Sequence, residues 1–62
     1  MKTTSRRDRA TAFATQLDAH VAIMTDKPDR PGAIYSVRRY PDQGFFVLVL
    51  FANGGNGWLI DA

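Results

Sequence analysis

The sequence predicts an α+β fold: one N-terminal helix packed on a three- to four-stranded antiparallel sheet. Three observations carry this. Apolar residues recur at three- and four-residue spacings early in the chain, two turn-forming clusters punctuate its second half, and between those clusters residues 45–51 are apolar without interruption. Sixty-two residues make one domain, 1–62, with residues 1–5 expected to be a flexible lead-in.

Ser5 suits a helix N-cap, with Asp8 three residues on in a capping-box-like position. Ala10, Phe13, Ala14, Leu17 and Val21 then fall on one helical face, and the alanines favour helix intrinsically. The predicted helix covers 6–20. Residues 21–25 either finish it or form a short β-branched strand. Two prolines, a glycine and four charges make 26–32 a loop, in which Asp26 and Asp29 read as solvated.

Residues 33–40 read as a strand. Pro41-Asp42-Gln43-Gly44 is a turn, residues 45–51 a second strand, Asn53-Gly54-Gly55-Asn56 a second turn and 57–61 a last strand. Placing Tyr40 opposite Phe45 and Ala52 opposite Gly57 sorts the side chains into two faces. Ile34, Ser36, Arg38, Tyr40, Phe45, Val47, Val49, Phe51, Trp58 and Ile60 share the first, assigned to the helix. Tyr35, Val37, Arg39, Phe46, Leu48, Leu50, Leu59 and Asp61 share the second. A bulge at Gly44 would exchange the faces.

A strand apolar at every position must hide both faces, and this chain has one helix to cover one of them. Its expected net stability is roughly 0.05–0.15 kcal/mol per residue. Leaving several large side chains in water, each worth roughly 1.5–3 kcal/mol when buried, would forfeit a comparable amount. The uncovered face therefore implies a partner, a second protein or a second copy in a homodimer, with Tyr35, Val37, Arg39, Phe46, Leu48 and Leu50 as its contact residues.

Little in the sequence supports catalysis. Cysteine is absent, which removes disulfides, thiolate metal sites and a cysteine nucleophile. His20 is the single histidine and has no spaced nucleophile or acid. The six aspartates lack calcium-loop spacing, and the glycine-rich 53–57 segment precedes a strand rather than a phosphate-binding helix. No enzyme activity, cofactor or metal is expected, and no stretch reaches a membrane span. A cytoplasmic protein is the simplest expectation.

The net charge is +2, and Arg outnumbers Lys six to two. Arg6, Arg7, Arg9 and Arg38 are candidate contacts for phosphate or acidic groups. With Arg39 and the aromatic residues Tyr35, Tyr40, Phe46 and Trp58 they also raise a small nucleic-acid-binding protein as an alternative, by base stacking on the sheet with arginines on the phosphates. The RNP1 pattern is absent. A small structural subunit of a phage assembly is a further alternative.

In format, a helix to His20 followed by strands at 35–40, 45–51 and 57–61, the whole chain resembles small phage-encoded inhibitors of the anti-CRISPR type. The resemblance rests on size and element order rather than on a diagnostic motif. It implies a protein that blocks a Cas complex by direct contact in the host cytoplasm, with a Cas subunit as partner. The mild positive charge favours protein contact over DNA mimicry.

Overall fold

In the computed structural model, which describes residues 1–61, one helix packs on one face of a four-stranded antiparallel sheet. Ala62, the last residue of the expected domain, lies outside the described residues. The elements are β1 (Lys2–Thr4), a 3-10 turn (Arg7–Arg9), α1 (Gln16–Asp26), a second 3-10 turn (Lys27–Asp29), β2 (Ile34–Tyr40), β3 (Gly44–Leu50) and β4 (Asn56–Ile60). The sheet order is β1-β4-β3-β2, so the apolar strand is internal. The α+β expectation is met, with four strands.

Several boundaries differ from the sequence reading. The helix spans 16–26, not 6–20. Thr15 is its N-cap, and the Thr15 hydroxyl accepts from the Asp18 amide at 3.1 Å, so Thr15 and not Ser5 sets the start. Residues 21–25 continue the helix. The segment before it is extended: Phe13 exchanges two backbone hydrogen bonds with Phe45, both 2.8 Å, beyond the end of β4. Residues 2–4, expected to be flexible, pair with β4 as an edge strand through Lys2–Ile60, Thr3–Leu59 and Thr4–Trp58.

The helix also buries a different face. Ala19, Ala22, Ile23 and Asp26 point to the sheet, whereas Leu17, Val21 and Met24 point outward and are 72, 55 and 74% exposed. The expected apolar face at Ala10, Phe13, Ala14, Leu17 and Val21 does not exist as one face, because the α-helix begins only after Thr15. Phe13 still reaches the core, from the extended segment. Two small alanines let the helix lie close to the sheet. With Ile23 and Phe13 they close over Val47, Val49 and Leu59, which have no exposure at all.

The register is shifted too. Tyr40 pairs with Gly44 rather than Phe45, and Arg38 with Phe46. Proline sits at the second turn position, Asp42 takes φ 70°, and Gln43 N donates to Tyr40 O at 3.0 Å, so the loop closes in three residues instead of four. In the second hairpin Leu50 pairs with Asn56, and the connection is 51–55. Phe51 leaves the strand; its ring lies against Gly57, where an added Cβ would meet it at 3.3 Å.

Both shifts exchange faces on β2 and β4 while leaving β3 as expected. The helix side carries Tyr35, Val37, Arg39, Phe45, Val47, Val49 and Leu59. The open side carries Ile34, Ser36, Arg38, Tyr40, Phe46, Leu48, Leu50, Trp58 and Ile60.

Candidate interaction surface

The open side of the sheet is built around three rings. Phe46 pairs with Arg38 and lies diagonal to Tyr40 and Trp58, since Gly44 is opposite Tyr40 and Leu48 opposite Trp58. Gly44 contributes no side chain, so Tyr40 leans on Phe46. Tyr40–Phe46 centroids are 5.4 Å apart, and Trp58 lies 6.3 Å from each, all edge-to-face. Phe46 is buried in this triangle.

Arg7 closes it from above. The 3-10 turn after β1 sends its guanidinium carbon to 3.8 Å from the Tyr40 centroid and 5.1 Å from that of Phe46. Its Nη1 donates to Gln43 Oε1 at 3.0 Å, tying the turn after β1 to the β2–β3 loop. The ring faces beneath Arg7 are occupied by protein and are not presented to a base.

Beyond Arg7 the face is open and apolar. The cross-strand pair Ile34 and Leu50 is 65 and 40% exposed, with half-buried Leu48 beside it. Arg38 is exposed at the margin, and the strand residues on this face include no carboxylate.

Of the residues expected to contact a partner, Phe46, Leu48 and Leu50 lie on this face, with Phe46 inside the aromatic triangle. Tyr35, Val37 and Arg39 lie on the opposite side of the sheet, a correction that follows from the three-residue turn. Of the basic candidates, Arg7 and Arg38 are on the open side. Arg6 pairs at 3.0 Å with Asp8, both well exposed, and Arg9 is exposed on the same turn. These arginines precede the helix rather than form its first turn. Sequence reasoning missed Trp58, Tyr40 and Ile34 as members of the open face; alternation along β2 and β4 would have placed them there had the loops been given three and five residues.

Asp26, read as loop solvation, is fully buried instead. Its carboxylate accepts from Arg30 Nε at 2.8 Å, Arg30 Nη2 at 3.3 Å and the Tyr35 hydroxyl at 2.5 Å, and the Met1 ammonium is 3.4 Å away. Burial pushes its pKa up, but the hydrogen bonds and charge of Arg30, with Tyr35 and Met1, outweigh that and hold it below the ordinary value. Burial and the adjacent Asp26 carboxylate push Tyr35 up to about 12. No buried side-chain polar atom among the described residues lacks a hydrogen-bond partner, so the cluster reads as a structural latch.

His20 is exposed on α1, its Nε2 3.5 Å from Gln16 Nε2. Among the described residues no three His, Cys, Asp or Glu side chains converge as a metal site, and no helix is long and apolar enough to cross a membrane. Comparison with protein-family models, curated proteins and solved structures finds no match.

Proposed function

We propose that this chain is a non-enzymatic protein-interaction module that binds through the open side of its sheet. The supporting observation is the exposed Ile34–Leu50 pair beside Leu48, on a face whose only charged strand residues are basic. Exposed apolar area with a charged margin is the usual character of a protein contact surface. Leu48 and Leu50 supply apolar contact, and Arg38 offers a bidentate anchor for a carboxylate. In its finer form the proposal is an inhibitor of the anti-CRISPR type that covers a surface of a Cas complex, the role that the one-helix, short-sheet format suggests.

The test is titration of the purified chain against purified Cas effector complexes, with Ile34→Asp, Leu50→Asp and Arg38→Glu compared with the parent. The expected result is binding by the parent, at least tenfold weaker binding by each variant and unchanged thermal unfolding. Parent-level binding by all three variants removes the open face from the interface. No binding to any effector removes the inhibitor reading. A mass that doubles with concentration, and reverts in Leu50→Asp, assigns the face to a second copy.

A further inference from the structure

The sheet ends on β2, whose outer edge has no strand beside it among the described residues. Its seven residues pair with β3 without a bulge from Ile34–Leu50 to Tyr40–Gly44, and no proline interrupts them. A regular edge of this length is a template for another strand unless something guards it. The opposite edge, β1, is protected by being three residues long.

The guards on β2 are Arg38 and Arg39. Both are exposed, and neither guanidinium makes a hydrogen bond or salt bridge to another described residue. Alternation puts Arg38 on the open side and Arg39 on the helix side, so each flank of the edge carries a guanidinium that no described carboxylate pairs. Nearer the start of β2, where it meets the end of α1, lies a groove of about 370 Å³ lined by His20, Ile23, Lys27, Ala33, Ile34 and Tyr35. Its walls are largely apolar and its charged member is cationic.

We infer that the β2 edge captures an extended acidic segment of another protein, which joins the sheet as a fifth strand. Backbone pairing would supply affinity and alternate side chains the selectivity. Tyr35 and Arg39 are four residues apart and share a face. The segment therefore carries an apolar residue for the groove and, four positions away, a carboxylate for Arg39. A carboxylate at the adjacent position, on the other face, meets Arg38. A second copy of this chain fits poorly: antiparallel pairing of two β2 strands about Val37 sets each Arg38 opposite Ser36 and diagonal to the other Arg38, within reach of like-charge repulsion.

The probes are the end-blocked peptide Thr-Leu-Thr-Thr-Asp-Asp-Thr and its reversed sequence, which cover both strand directions. Each is compared with a copy carrying lysine for aspartate and a copy with its two central threonines replaced by proline. Binding is followed by fluorescence anisotropy, and pairing by hydrogen exchange of the β2 amides. At least one acidic peptide is expected to slow β2 exchange tenfold or more, with affinity that falls as salt rises. The lysine and proline copies should not. Arg38→Glu combined with Arg39→Glu should lose at least tenfold for the acidic peptide and bind the lysine copy instead. Leu50→Asp, which disables the open face, should leave β2 protection intact, so this inference and the preceding proposal fail separately. Unchanged β2 exchange with both acidic peptides overturns the inference. So does β2 protection in the chain alone that grows with its concentration, or stronger protection by oligothymidine than by either peptide.

Discussion

The Tyr35 hydroxyl donates to Asp26 Oδ2 at 2.5 Å, joining the last residue of α1 to the second residue of β2. Arg30 grips the same carboxylate from the intervening loop and donates from Nη2 to the Met1 carbonyl at 2.9 Å. One buried charge thus fixes the helix end, the proline-bearing loop and the lead into β1.

Removing one partner of such a group leaves the rest buried without compensation. Asp26→Ala should cost about 3–5 kcal/mol, much of the roughly 3–9 kcal/mol expected for a chain of this length. Tyr35→Phe, which deletes one hydrogen bond to a charged group, should cost about 1.5–3 kcal/mol. Urea unfolding measures both, and the double variant should cost less than the sum, because the two share one interaction. Strict additivity would mean that the hydroxyl and carboxylate are not coupled.

The same pair sets opposite pH limits. Asp26 is held below its ordinary value in the fold, so its contribution is present above the unfolded carboxyl range, about pH 4, and is lost as pH falls through the folded value. Tyr35 is raised to about 12. Its contribution is therefore intact below about pH 10, the unfolded phenol value, and is lost as pH climbs towards the folded one. Thermal unfolding across pH should show both limbs. Tyr35→Phe should flatten the alkaline limb. Asp26→Asn should remove the acid limb and shrink the alkaline one, leaving burial alone to raise the phenol.

The outward stripe of α1 gives a prediction opposite to the one its spacing suggests. Leu17→Asp should change stability by no more than about 0.5 kcal/mol, as for an exposed site. Ala19→Leu, which forces bulk between helix and sheet at a position with no exposure, should cost about 1–3 kcal/mol. Guanidinium unfolding of the two variants separates the observed helix phase from the expected one: a large loss at Leu17 would put that residue in the core.

What the sequence made legible follows from where local chemistry is decisive. The apolar run 45–51 predicts a strand; residues 45–50 lie in β3, internal in the order β1-β4-β3-β2, while Phe51 begins the loop. The turns were located by Pro41-Asp42 and Asn53-Gly54. Their lengths were not, because Asp42 at positive φ closes its loop a residue early and Phe51 folds out of its strand. That one-residue error moved Tyr35, Val37 and Arg39 across the sheet, while Leu48 and Leu50 kept their place. The helix start was misplaced because alanines at 10, 12 and 14 suit a helix that a tertiary contact forbids: Phe13 is held extended by Phe45. The spacing Thr15-x-x-Asp18 carried the true start. Asp26 gave no local sign of burial, since its partners lie four and nine residues on and at Met1.

Gly44 is where that tertiary contact is enforced. It sits at φ 116°, and an added Cβ would lie 2.6 Å from the Phe13 carbonyl oxygen. That oxygen accepts from the Phe45 amide at 2.8 Å, so the position carries backbone strain and a steric clash together. Gly54 separates the two, with φ 98° and nothing within 4 Å of an added Cβ. Gly54→Ala should cost about 1–2 kcal/mol through its left-handed backbone alone. Gly44→Ala should cost more and should also speed hydrogen exchange at the Phe13 and Phe45 amides, which Gly54→Ala leaves unchanged. Equal losses in the two variants, with the Phe13 amide still protected, would show that the clash relaxes elsewhere and that Gly44 does not hold the extended segment against β3.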